Sequence, residues 1–261
     1  MATSGRWLRG CILVAAMVWV GVAVGAEDPA AGCARETFVD VGGRTVWRMP
    51  GKSALFFRAG MAIDADGAPN AYHPEKKGID HLGNAGRPGN WWALVTDNGK
   101  PSGTPVRQGP NDPFPGFYIS TTALQDASKQ RTDPGRYVDS RTVPYVALPP
   151  AVLAPRREGG ARLGDFVAVM NLTNDKVASA IVADIGPKDK LGEGSIALAE
   201  ALGIPSSPRT GGVKSHVAYG VFPRSGDRKP RPVEDISKGG ALLLAEFGGA
   251  AQLSACSAEA R

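Results

Sequence analysis

Two carboxylates, Asp184 and Glu193, stand nine residues apart in the segment AIVADIGPKDKLGEGSIALAEALGI, which runs from Ala180 to Ile204. An apolar run that reads as a strand delivers Asp184 at its end, Gly186-Pro187 turns the chain, and Glu193 returns just ahead of Ser195, a helix cap by type. A chain that leaves a strand and loops back in this way can set two carboxyl groups across a cleft. One acid can then protonate a leaving oxygen while the other carboxylate activates water or attacks carbon, which is the chemistry of glycoside hydrolysis. The same residues also fit plainer roles. An acidic residue followed by Gly-Pro is commonly a turn residue, and a Glu two positions before a helix is commonly a solvated partner of the helix dipole.

Other chemistries find no foothold. His73, His81 and His216 are scattered without metal-ligand spacing, Cys33 and Cys256 lie in no reactive-thiol signature, and neither G-x-S-x-G nor a phosphate-cradling glycine loop occurs. The DADG stretch, Asp64 to Gly67, lacks the spaced oxygen ligands and closing Glu of a calcium loop. The reading therefore includes no metal and no cofactor.

The elements that must position the carboxylates follow from pattern. Strand-like runs cover Arg44–Met49, Leu55–Asp64, Trp91–Asp97, Phe117–Leu124, Tyr145–Leu148, Asp165–Leu172, Ala178–Asp184 and Val217–Phe222, with turn residues between them. Residues 98–116 and 149–160 are Gly/Pro-rich and without period, so they read as loops. A helix opens at Ser195 and stops at Gly203, and a second spans Pro232 to Phe247 before Gly248. With 34 Gly and 21 Pro in 261 residues, turns and short strands outweigh long helices. The fold class expected is mainly β with a few helices, in one barrel or sandwich domain.

The ends of the chain carry a different kind of information. Arg6 and Arg9 precede an uncharged apolar stretch from Cys11 to Val24, and Val24-Gly25-Ala26 offers a cleavage site, so 1–26 reads as a signal peptide. The stretch is shorter than the roughly 20 residues of a spanning helix, which argues for export and against a membrane anchor. Residues 27–37 read as a leader, 38–250 as the catalytic domain and 251–261 as a C-terminal tail. Export removes Cys11 and leaves Cys33 and Cys256, one at each end of a single domain, as a disulfide pair. The net charge of +5 comes from scattered basic residues with no run of five or six, so no nucleic-acid partner is expected.

The segments MAIDADGAPNAYHP, NWWALVTDNGKPSGTPV, GFYISTTALQD, RYVDSRTVPYVALP, GARLGDFVAVMNL and AIVADIGPKDKLGEGSIALAEALGI, taken in order, resemble the chitosanases of glycoside hydrolase family 75 from about Ala54 to Phe247. Asp184 in VADIGP and Glu193 in GEGS fall on that family's catalytic positions. The family is inverting, so the resemblance implies that Asp184 is the general base on water and Glu193 the general acid. The helix opening at Ser195 would acidify a nearby carboxyl, whereas a general acid needs the opposite, so burial and the charge of Asp184 have to outweigh the dipole. The final segment is also similar to rare lipoprotein A-type septal lytic transglycosylases, on Asp184-Ile-Gly-Pro and Glu193-Gly-Ser. That likeness implies a double-psi β-barrel and offers cleavage of peptidoglycan as an alternative activity; a glycan-binding barrel without catalysis is the third.

Chitosan is a polycation at acid pH, so its subsites call for carboxylates and polar acceptors. Asp64, Asp66, Asn70 and Tyr72 are the first substrate-binding candidates, with Asp80 and Asp97 behind them, although DADG equally suits a tight turn. Trp91, Trp92 and Tyr118 could stack on sugar faces, but Trp91 and Trp92 are adjacent on a strand-like run and point to opposite sides, so at least one belongs to the core. The expectation is a secreted monomer whose partner is a polysaccharide, with no membrane attachment once the signal is cleaved.

Overall fold

A computed structural model describes residues 1–2, 33–153 and 158–258. The signal-peptide assignment therefore falls almost wholly outside the described residues, as does the leader up to residue 32. Among the described residues no helix is long and apolar enough to cross a membrane.

Six strands close into a barrel. In order around it stand β3 (Leu55–Asp64), β10 (Val213–Val221), β7 (Phe166–Asn171), β8 (Lys176–Ile185), β6 (Tyr145–Leu148) and β9 (Glu193–Ser195), and β9 pairs back onto β3. Two of the six pairings, β3 with β9 and β6 with β8, are parallel, and the others are antiparallel. A hairpin of β1 (Glu36–Val41) and β2 (Arg44–Arg48) extends the sheet from β3 through Trp47 and Arg48. Closure satisfies the backbone of the short β9 on both sides, which a three-residue strand on an open edge would lack.

Strand β3 explains the layering. Leu55, Phe57, Ala59, Met61 and Ile63 alternate into one buried cluster with Val146, Val167, Val182 and Leu198, while Phe56 points the other way, into a cluster with Ala168, Ile181 and Ala218. Ile236 and Phe247 of α3 (Val233–Phe247) and Leu253 of α4 (Gly249–Cys256) cover that second face. Because both faces are buried, the strand reads as a nearly continuous apolar run. Glycine lets α3 come close: a Cβ on Gly239 would stand 2.5 Å from the Phe166 ring, and one on Gly240 2.5 Å from Ser179.

The strands expected at Leu55–Asp64 and Tyr145–Leu148 form with those bounds, and those at 44–49, 165–172, 178–184 and 217–222 form with ends shifted by a few residues. Two do not form. Within 91–97 only Trp91 is in a strand, the two-residue β5 (Asn90–Trp91) paired with β4 (Gly86–Arg87), and 117–124 meets its neighbours through isolated bridges such as Leu94↔Ser120 and Arg107↔Tyr118. Their apolar residues are there for packing: Trp91, Ala93 and Leu94 make a separate small core with Ala65, Ala68 and Tyr72, over irregular backbone. The expected helices appear as α2 (Ile196–Ala201), capped by the Ser195 hydroxyl accepting from Leu198 N at 3.1 Å, and as α3. A short helix, α1 (Pro150–Leu153), lies inside the loop expected at 149–160, and α4 occupies much of the segment read as a tail from 251. Cys33 and Cys256 are joined in a disulfide with Cα atoms 5.4 Å apart.

Candidate active site

Strand β6 lies between the two carboxylates. On one side Ala147 pairs with Asp184 of β8, in parallel, and on the other with Glu193 of β9, antiparallel. The register of β6 against β8 slips after Val146↔Val182, so that Ala147 meets Asp184 and Ala183 is the extra residue. Without that irregularity Asp184 would stand beside Leu148, whose side chain belongs to the barrel interior. The bulge thus turns Asp184 onto the face of Ala147 and Glu193. Glu193 pairs in turn with Ala62 of β3, and Asp64, two residues further along β3, shares its face.

Asp184 Oδ1 accepts from Ala123 N at 3.0 Å and from Ile185 N at 2.8 Å. Asp64 Oδ1 accepts from Asp66 N at 2.8 Å. Tyr72 donates its hydroxyl to Asp66 Oδ1 at 2.7 Å and approaches Asp80 Oδ2 at 3.4 Å, and Asp80 is held by Asn84 Nδ2 at 2.9 and 3.0 Å. The Tyr145 hydroxyl donates to the Asp66 carbonyl at 2.9 Å and lies against Asp64. Glu193 Oε2 rests over Gly186, where a Cβ would come within 3.1 Å of it.

So many carboxylates in one partly buried group cannot all be ionised. Burial pushes Glu193 up to about 7, helped by the charge of Asp64 and opposed by Lys190. Asp64 rises to about 6, again chiefly through burial, against the Asp66 N–H and the Tyr145 hydroxyl that favour its charged form. Asp184 and Asp66 are likewise raised well above the ordinary carboxylate range by burial and then by the Asp64 charge. The helix dipole expected to acidify Glu193 does not prevail: α2 has only six residues, and desolvation outweighs it. A group of this kind shares protons and titrates as a unit.

Of the substrate-binding candidates, Asp64, Asp66, Tyr72 and Asp80 gather around Asp184 and Glu193. The Asn70 side chain is engaged with Arg141, its Oδ1 accepting from Arg141 Nη1 at 3.3 Å. Asp97 is an exposed turn residue whose Oδ1 accepts from Asn98 N and Thr104 N. Asp64 answers to both readings of DADG, since it closes a turn onto Asp66 N and also joins the cluster. Trp91 is buried, and Trp92 is 58% exposed with its Nε1–H donated to the Asn84 carbonyl at 3.0 Å. Tyr118 is half-buried beneath Arg107. Sequence reasoning missed Tyr145, Ala123 and Asn84. Only Tyr145 carried any signal, as a polar aromatic inside an apolar strand.

Three of the carboxylates, Asp64, Asp66 and Asp184, offer oxygens that all lie within 4.8 Å of one another, a spacing that suits a shared proton or a small cation. No protein-family model and no curated protein matches this chain.

Proposed function

We propose that the protein is a secreted, endo-acting chitosan hydrolase that inverts the anomeric carbon, with Glu193 as general acid and Asp184 as general base. The observation that carries the reading is the pairing of both residues with Ala147, on opposite sides of β6. Two strand spacings separate their Cα atoms by about 9–10 Å. From Cα atoms so spaced the two side chains can reach the roughly 6.5–9.5 Å between carboxyls that leaves room for a water in an inverting site.

The proton affinity of Glu193 agrees with its role, whereas that of Asp184 needs the substrate's help. Glu193, raised to about 7, still holds a proton in weak acid and can give it to the glycosidic oxygen. Asp184 is held well above the ordinary carboxylate range by burial and by the Asp64 charge, against the two backbone N–H groups that favour its charged form, so in this reading the ammonium of a bound glucosamine has to drive off its proton before it can act as base. Asp64, Asp66 and Asp80 extend the wall of carboxyl groups along which a polycation would lie. The Cys33–Cys256 bridge supports export, because such a bond persists in an oxidising compartment.

The test is to incubate the protein with chitosan, chitin and peptidoglycan in parallel and to follow new chain ends by NMR, free reducing ends for hydrolysis and 1,6-anhydro ends for transglycosylation. Release from chitosan with the α-anomer appearing first is expected. Initial β-anomer would replace the base by a nucleophile, and release from peptidoglycan alone would move the activity to the transglycosylase reading.

A further inference from the structure

Between the start of β2, the loop that leads into β9 and the start of β10 lies a groove of about 620 Å³. An irregularity in β10 shapes it: from Val213 to Val217 this strand advances four positions while β3 advances two, from Met61 to Ala59, so Lys214, Ser215 and His216 form a bulge, with His216 at φ 68°. The backbone beneath is packed too tightly for side chains. A Cβ on Gly60 would stand 2.3 Å from the Val213 carbonyl oxygen, and Gly192, Gly211 and Gly212 line the groove beside it. Three cations complete the lining, each from a different segment: Arg44 of β2, whose Nη1 donates to the Arg58 carbonyl at 3.3 Å, Lys190 ahead of β9, and Lys214 in the bulge. Among the described residues no carboxylate lines the groove, and neither Lys190 nor Lys214 is in an ion pair. Glu193 feels the charge of Lys190 but keeps its own proton in weak acid, so it does not offset that charge. Three like charges gathered around one hollow raise the potential there, and an anion seated among them relieves it.

We infer that this groove is a second glycan site, which holds a polyanionic chain whose sugars carry carboxylates. It lies apart from the acid and base, neither of which lines it, and it stands whether or not the protein hydrolyses chitosan, whose ammonium groups these cations would repel. The size favours an oligomer over a single ion, because about 620 Å³ falls within the roughly 300–1,000 Å³ of pockets that enclose a drug-sized ligand. A nucleic acid is disfavoured, since no aromatic side chain lines the groove for bases to stack on. An acidic peptide finds no ladder to extend, because β3 is already paired with β9 on one side and β10 on the other. A chain of sugar acids needs neither, only cations spaced along a hollow. The protein would thus be held on an anionic polysaccharide by one face while the carboxylate cleft stays open to a cationic one.

The experiment is an amide NMR titration of the protein with trigalacturonate, tri-aspartate, inorganic phosphate and the glucosamine trimer, at matched ionic strength. Trigalacturonate should shift the amides of Lys190 to Gly192 and of Gly211 to Lys214, and the other three should leave them in place at the same concentration. Binding should weaken as salt is added, because exposed charges are screened over about 10 Å at 0.1 M. In Lys190→Glu/Lys214→Glu the affinity should drop by about tenfold or more, as two attractions become repulsions, whereas Lys214→Arg should keep it. Both lysines are exposed, so the fold should survive, and a thermal melt checks that. Groove amides unmoved by trigalacturonate, or an affinity unchanged in the double variant, would overturn the site. Equal shifts with phosphate would reduce it to a free-ion site, and equal shifts with tri-aspartate would make it a site for acidic peptide; either result overturns the glycan. None of these readings needs turnover, so they stand apart from the chitosan assay.

Discussion

Asp184 and Glu193 face each other across a single alanine. Ala147 pairs with both, and only its methyl side chain stands between them on β6. The separation is set by strand spacing and is therefore rigid, because neither carboxylate sits on a loop that could drift.

Replacing Glu193 by Gln or Asp184 by Asn should lower the rate of chitosan cleavage by about 10²–10⁴-fold, the range for a lost general acid or base. The fold should survive, since each change removes a buried charge from a crowded negative group. Reducing-end release and a thermal melt together check it. Glu193→Gln with more than a tenth of the original rate would show that the acid is elsewhere.

Stability should fall as pH rises through the weakly acid range. Asp64 moves from 3.8 to about 6 and Glu193 from 4.5 to about 7, so between those values the folded state holds protons that the unfolded chain has released. Their favourable contribution is full below about pH 4 and is lost as pH climbs toward 7. Melting temperatures from pH 4 to 8 should show the decline for the wild type and a flatter curve for Asp64→Asn. A wild type whose stability rises over that range relative to the variant would contradict the sign. Activity should fall above about pH 7, where Glu193 gives up its proton.

Gly186→Ala should injure catalysis without injuring the fold. The new methyl would stand 3.1 Å from Glu193 Oε2, and the carboxyl has to give way by a few tenths of an ångström. Displacing an acid from its line of transfer costs rate more than binding, so about a tenfold loss in kcat with little change in KM is expected. Equal kinetics in the variant would mean that Glu193 has slack.

Reduction of Cys33–Cys256 should lower the melting temperature and leave the activity of the folded protein nearly intact, because neither cysteine takes part in the carboxylate group. The bridge closes a separation of 223 residues, which the chain-entropy model values at about 5 kcal/mol at most. Less is expected, because the same end is also held by Arg35, which donates to the Cys256 carbonyl at 2.7 Å, and by the buried Leu253 of α4. Circular-dichroism melts with and without reductant measure it.

The sequence alone determined what depends on neighbours in the chain or on simple counting. The apolar run of β3 and the Ser195 cap of α2 were legible because period and capping are local. The cysteine pair was legible because the signal peptide expected at 1–26 takes Cys11 with it and leaves two. Local pattern misled where apolar residues serve packing without a ladder, as at Trp91–Asp97, since the chain cannot signal which backbone groups will find strand partners. Tertiary structure decided the site. Closure of the barrel put Glu193 in a strand between β3 and β6, the bulge at Ala183 turned Asp184 to the same face, and only then did burial and mutual charge raise the proton affinity of Asp64, Asp66, Asp184 and Glu193. Charge repulsion and desolvation act through space, so their strength is fixed by distances that no spacing along the chain contains.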